Sequence, residues 1–137
     1  MASIREEILV AAAPEQVWAA VRDVGAVHRR LVPGYALDAR IEGDVRILTV
    51  PGGEVRELIV AIDDAARRVA YAVVGGRMAL THHHASFQVF DHGNGQSLLV
   101  WITDVLPHTL APEVRARVAR GAVVMKATLE AAAAAST

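Results

Sequence analysis

Residues 110–135, LAPEVRARVARGAVVMKATLEAAAAA, decide how the rest of the chain is to be read. Pro112 and Glu113 suit a helix start. The proline lacks an N–H that the first turn has no use for, and the acid sits at the positive end of the helix dipole. Val114, Val118, Ala122, Met125 and Leu129 recur at spacings of three and four and form one apolar stripe. Arg115, Arg120, Lys126 and Glu130 fall largely off it. At ~1.5 Å per residue the helix reaches roughly 35 Å, enough to cross a small domain. Gly121 lies on or beside the stripe, where glycine costs about 1 kcal/mol of helix propensity. It reads either as a tolerated glycine or as a place of close backbone approach or reserved space.

Such a helix needs a surface to lie on, and the preceding residues supply one. Residues 36–42, 45–50, 54–62, 67–74, 79–90 and 96–106 read as strands. Between them stand Gly43-Asp44, Pro51-Gly52-Gly53, Asp63-Asp64, Gly75-Gly76 and the turn 91–95, all good turn chemistry. Connections this short favour antiparallel neighbours. Upstream, residues 3–12 alternate as a first strand. The period then switches, with Val17, Trp18, Val21 and Val24 at helical spacing between Pro14 and Gly25. Residues 26–31 predict a second short helical turn, stopped by Pro33-Gly34. The expected architecture is a single α+β domain over residues 1–137. A seven-stranded curved antiparallel sheet wraps around the C-terminal helix, and two short helices after the first strand cap one end. The grip leaves a space between sheet and helix.

Composition narrows the function. With 53% hydrophobic and 21% charged residues, a chain of 137 residues buries one real core and is not disordered. A net charge of -1 offers no basic excess for phosphates, so nucleic acid is not an expected partner. The absence of cysteine excludes disulfides, thiolate zinc sites and cysteine nucleophiles. No signal-peptide core and no apolar run of the ~20 residues needed for a bilayer is found. The expectation is a soluble cytoplasmic domain without membrane insertion.

The run Ala11-Ala12-Ala13-Pro14-Glu15-Gln16-Val17-Trp18, the turn Gly52-Gly53-Glu54-Val55-Arg56-Glu57, the hairpin from Asp63-Asp64 to Arg68-Val69, and Val73-Val74-Gly75-Gly76 together resemble the START-like helix-grip (SRPBCC) superfamily. Within it the chain is most similar to the polyketide cyclase/dehydrase-type branch, which is related to the plant abscisic-acid receptors. The resemblance covers nearly the whole chain. It implies a hydrophobic cavity between sheet and helix, with loops at 50–54 and 75–78 at its entrance. Arg77-Met78-Ala79-Leu80 departs from the polar, histidine-bearing latch of the receptors.

Strand parity then nominates lining residues. If Ala85, Phe87 and Val89 face inward, so does His83, while His82 and His84 face outward. The resemblance implies that Glu57, with Ile59 and Ala61, faces the cavity, as do Tyr71 and Val73. On 96–106, Val100 and Ile102 are placed inward and Trp101 outward or at an edge. Val118, Gly121, Ala122 and Met125 supply the helix wall. Glu57 and His83 are the two polar groups expected inside, where burial pushes both towards neutrality. As a pair they suit the acid–base work of an aldol cyclisation and dehydration, or they bond each other and orient a ligand. No metal site is expected. Outward His82 and His84 share a face, but no further ligand is spaced to complete a set. No cofactor is implied. Arg56 and Arg77 flank the entrance, as solvated charges or as contacts for an anionic ligand group. Ser86 has no nucleophile elbow, and its parity points away from the cavity.

Three functions follow. The first is binding of a small hydrophobic or aromatic ligand such as a polyketide, isoprenoid or lipid-like compound. The second is a cyclase/dehydrase-type enzyme using Glu57 and His83. The third is a homodimeric interaction module, built on Leu58, Val60 and Ile62 if parity places them on the outer sheet face.

Overall fold

The computed structural model describes residues 2–76 and 78–136; Arg77, named above at the entrance, lies outside the described residues. Strand β1 (Ala2–Val10) is followed by α1 (Pro14–Arg22), a 3-10 turn at Val24–Ala26 and α2 (Val27–Arg30). Strands β2 (Asp38–Glu42), β3 (Val45–Val50), β4 (Gly53–Asp63), β5 (Arg68–Gly75), β6 (His82–Gly93) and β7 (Gln96–Leu106) come next. A 3-10 turn at His108–Leu110 leads into α3 (Ala111–Ala135). All seven strands form one antiparallel sheet in the order β1-β7-β6-β5-β4-β3-β2. The helix-grip architecture expected from the sequence is the one observed.

The buried face of α3 carries Ala111, Val114, Val118, Gly121, Ala122, Met125 and Leu129, which is the predicted stripe with Gly121 on it and Ala111 added at its start. Its C-terminal half is tied to the end of β1. Glu130 accepts from the Ala11 amide (2.8 Å) and from Lys126 Nζ (2.9 Å), and Lys126 also donates to the Leu9 carbonyl. Beneath that half lies the main core, where Ala122, Met125 and Leu129 join Val10, Val17, Trp18, Val21, Phe87, Val89 and Leu99. Helix α1 is locked to the β4–β5 turn by Asp64, which accepts from Trp18 Nε1 (3.0 Å) and Arg22 Nε (2.7 Å). Val114 and Val118, further up α3, belong to a smaller cluster with Ile4 and Val105.

Three expectations are corrected. Residues 79–81 are not part of β6. Met78 and Leu80 instead pack beside the Val114–Val118 cluster, so an apolar run that suits a strand covers the helix. The β4–β5 ladder is bulged twice, with Val74 of β5 the extra residue opposite Arg56/Glu57 and Val60 of β4 the extra residue between Ile59 and Ala61. An extra residue flips the side-chain sequence to the other face. Ala61 therefore pairs with Ala70 rather than continuing the inward set, and Ile62 pairs with Val69, a core residue of the inner face. The outer row of Leu58, Val60 and Ile62 is broken, although all three side chains are exposed.

Candidate functional site

The N-terminal half of α3 stands off the sheet, and the gap is a cavity of about 450 Å³. Its apolar walls come from Leu48 and Val50 on β3, Val55 on β4, Val73 on β5, Met78 and Leu80 from the β5–β6 connection, and Val114 and Val118 on α3. Tyr71 and Trp101 add aromatic surface, and Arg117 and Arg120 stand at the helix rim. The polar side chains reaching in from the sheet are Glu57, His83 and Thr103.

Glu57 is held by a partner that the sequence reading missed. Arg46 lies directly opposite it across β3 and β4, and the two are 5% and 6% exposed. Arg46 Nε and Nη2 both reach the same carboxylate oxygen, Oε1, at 2.9 and 2.8 Å. Its Nη1 donates to the Val24 carbonyl (3.2 Å), and its guanidinium lies over the Tyr71 ring, 5.4 Å from the centroid. Burial pushes the Glu57 carboxyl above the usual carboxylate range, and the charge and hydrogen bonds of Arg46 pull against that. Arg46 thus compensates the one acid among the described residues of the cavity wall and ties β3 to the turn after α1. Parity was the available signal. Arg46 shares a face with Leu48 and Val50, but an arginine within VRILTV reads more readily as solvated.

His83 is in the predicted inward phase, and its role is partly structural. The β5–β6 ladder stops at Tyr71–Ala85. Two residues on, the Val73 amide donates to His83 Nδ1 (3.0 Å), so the imidazole replaces a lost strand-to-strand bond. The gap between the two strands opens as a second cavity, lined by Val73, Gly76, Met78, Leu80 and His83 among others. Because Nδ1 is an acceptor, the ring proton is on Nε2. Burial, then the neighbouring His84 and His82, lowers the His83 pKa to about 4. At neutral pH the ring is uncharged and offers an N–H. It does not bond Glu57, so the two groups named as a pair work separately.

The phase assigned to β7 is wrong. Trp101 pairs with inward Phe87, stacks on it at 4.8 Å between centroids, and donates from Nε1 to Tyr71 Oη (3.2 Å). Ile102 pairs with Ser86 and Val100 with Gln88, on the opposite face. Trp101 also explains Gly121. A Cβ added there would meet the indole at 3.1 Å, so the glycine admits the ring against the helix. This contact divides the interior. Val118, Tyr71, Val73, Glu57 and His83 line the cavity, whereas Ala85, Phe87, Ala122 and Met125 are core and Ile59 packs against it. Gly121 lies behind Trp101, outside the cavity wall.

Burial also raises the Tyr71 phenol pKa, with the Glu57 charge adding to it, so the hydroxyl keeps its proton. Among the described residues no three His, Cys, Asp or Glu side chains gather as a metal-ligand set, and no helix is long and apolar enough to cross a membrane.

Sheet, gripped helix and intervening cavity define a START-like helix-grip protein. The family model for polyketide cyclase / dehydrase and lipid transport matches residues 1–136, and the chain belongs to that family. Similar solved structures include the protein XoxI from Bacillus cereus (22% identity, 97% of this chain and 96% of that one, TM-score 0.82). A START superfamily protein from Mycobacterium smegmatis is 17% identical over 98% of this chain and 99% of that one, with a TM-score of 0.76. A norcoclaurine synthase point mutant from Thalictrum flavum, in complex with a transition-state analogue, is 21% identical over 93% of both chains, with a TM-score of 0.70. At these identities the likeness is one of fold. No curated protein matches the chain.

Proposed function

We propose that the protein binds a small hydrophobic or aromatic molecule, of polyketide, isoprenoid or lipid-like character, between the sheet and the N-terminal half of α3. The observation that carries this reading is the 450 Å³ cavity, apolar over most of its wall and edged by Tyr71 and Trp101. Sites for small ligands have this size and this mixture of apolar wall with few polar groups. Membership of the polyketide cyclase / dehydrase and lipid transport family supports it.

Native mass spectrometry of the purified protein, with extraction of what travels with it, tests the reading directly. A defined apolar molecule near unit stoichiometry is the expected result. Val118→Trp directs an indole into the cavity and should weaken binding of a hydrophobic fluorescent probe at least tenfold, with the fold retained. An empty protein that also ignores the probe overturns the reading.

One observation favours a second reading, proton transfer to the bound molecule. Glu57 has a raised pKa, and its Oε2 makes no hydrogen bond with a described residue. A carboxyl tuned upward and open on one oxygen suits a general acid or base. His83 is the poorer candidate, since Nδ1 is engaged and Nε2 already holds its proton. If the ligand is turned over, Glu57→Gln should abolish product formation while ligand still binds.

A further inference from the structure

Two buried side-chain atoms among the described residues have no hydrogen-bond partner, His28 Nδ1 and Thr103 Oγ1. His28 lies away from the cavity, its other nitrogen 3.9 Å from Asp38. Thr103 is different. It faces inward from β7 between Ala85 and Ile4, is 2% exposed, and lines the cavity. Valine has the same shape and a better affinity for such a place. An unpaired hydroxyl there is a cost that the protein fold alone does not repay.

Its neighbours carry the same kind of surplus. His83 uses Nδ1 for the Val73 amide, which leaves Nε2–H without a described partner. Tyr71 Oη accepts from Trp101, which leaves the phenol proton unspent. Tyr71, Ala85 and Thr103 stand in one row across β5, β6 and β7, and His83 is two residues before Ala85 on the same face. The small Ala85 keeps the ground between these groups low. These side chains therefore leave three donors unused, Thr103 Oγ1 among them although that oxygen is almost wholly buried, against one open carboxylate oxygen on Glu57. Arg46, the buried cation nearby, is committed to Glu57 and the Val24 carbonyl. Arg117 and Arg120 stand at the helix rim, so on the sheet wall itself an anionic group would meet the Glu57 carboxylate beside a cation already committed to it. A neutral acceptor meets three donors.

We infer that Thr103 and His83 form a subsite for the carbonyl oxygen of an otherwise apolar, ring-bearing ligand, with the Tyr71 hydroxyl beside it. The inference rests on the cavity being the binding site proposed above. It names what that site reads: a neutral ketone, aldehyde or ester oxygen on a body that packs against Tyr71 and Trp101.

The test uses two probes of nearly equal shape, 1-tetralone and tetralin, followed by NMR titration of the intact protein. The wild type should bind the ketone about three- to tenfold more tightly, the gain of one net hydrogen bond. Thr103→Val should erase most of that preference while leaving tetralin affinity unchanged, and Thr103→Ser should restore it. His83→Phe, which keeps a ring but removes the N–H, should also lower ketone affinity. The infrared carbonyl stretch of bound tetralone should lie at lower frequency in the wild type than in Thr103→Val. The valine variant should melt no lower than the wild type, because it loses only an unpaired hydroxyl. Equal affinity for the two probes in the wild type, as expected if water alone serves Thr103, overturns the subsite and leaves the binding site standing. Equal weakening of both probes by Thr103→Val does the same. Failure of both probes to bind overturns both readings.

Discussion

The two halves of α3 face the same sheet and end in different environments. The C-terminal half presents Ala122, Met125 and Leu129 to a dense core and is fastened to β1 through Lys126 and Glu130. The N-terminal half presents Val114 and Val118, residues just as apolar, to a cavity. Hydrophobicity alone does not separate them. The difference lies in what stands opposite. Below, bulky residues of β1, β6 and β7 and the whole of α1 fill the space. Above, the facing positions on β5 to β7 are Val73, His83 and Thr103, and the strands have begun to separate. A helix stripe reports that something is buried, and the facing element decides whether the result is core or pocket.

The largest effect is expected where the open half depends on a buried charge. Arg46→Met leaves Glu57 buried without its cation, and removing one member of such a pair costs about 3–5 kcal/mol. Chemical denaturation should show that loss at pH 7. In the variant the folded-state pKa of Glu57 rises further above its unfolded value. Stability should then partly recover as pH falls through that raised pKa towards the ordinary carboxylate range. Flat stability from pH 7 to 5 would show that the pair does not hold the upper wall together.

Trp101→Ala attacks the boundary itself. The indole lies between Phe87 and Gly121, so its loss should cost about 3 kcal/mol and join new empty volume to the cavity. Larger hydrophobic probes should then bind better than they do to the wild type. Unchanged probe selectivity would mean that Trp101 is not the floor.

The smallest effect sharpens the comparison at the mouth. His83 has a folded-state pKa of about 4, below the ~6.5 of an unfolded chain. Between those values the unfolded state binds the proton and the folded state does not. Stability present above pH ~6.5 is therefore lost as pH falls towards 4. The loss should be on the order of 1 kcal/mol, because the ring is partly solvated. His83→Phe should remove this part of the pH dependence, and an NMR titration of the His83 ring should place its midpoint near 4. A midpoint near 6.5 would mean that the ring is solvated and the strand gap closed in some other way.

How much of this was legible in the sequence varied with the local signal. The stripe of α3 and the inward phase of His83 followed from clear periodicity, and the bounds of β3 and β7 from the turn residues beside them. The phase of β7 did not, because Leu98-Leu99-Val100-Trp101-Ile102 is apolar on both faces and period two carries no information there. Only the pairing of Trp101 with Phe87 across β6 decides it, and register is a tertiary property. The bulge of β4 at Val60 likewise has no turn residue to mark it, so Ala61 and Ile62 were placed on the wrong faces. Gly121 announced that something comes close. That it was Trp101, and that Ala122 and Met125 therefore fell on the core side of a partition, required the fold.

The Trp101–Gly121 contact also bears on how such a protein could change. One of its partners has the largest side chain available and the other has none, so nearly all the volume at that point comes from a single strand. Moving part of it across, with a smaller residue on β7 and a larger one on α3, would raise or lower the floor without redrawing the backbone. Pocket depth here is a two-residue setting, inherited separately from the scaffold that displays it.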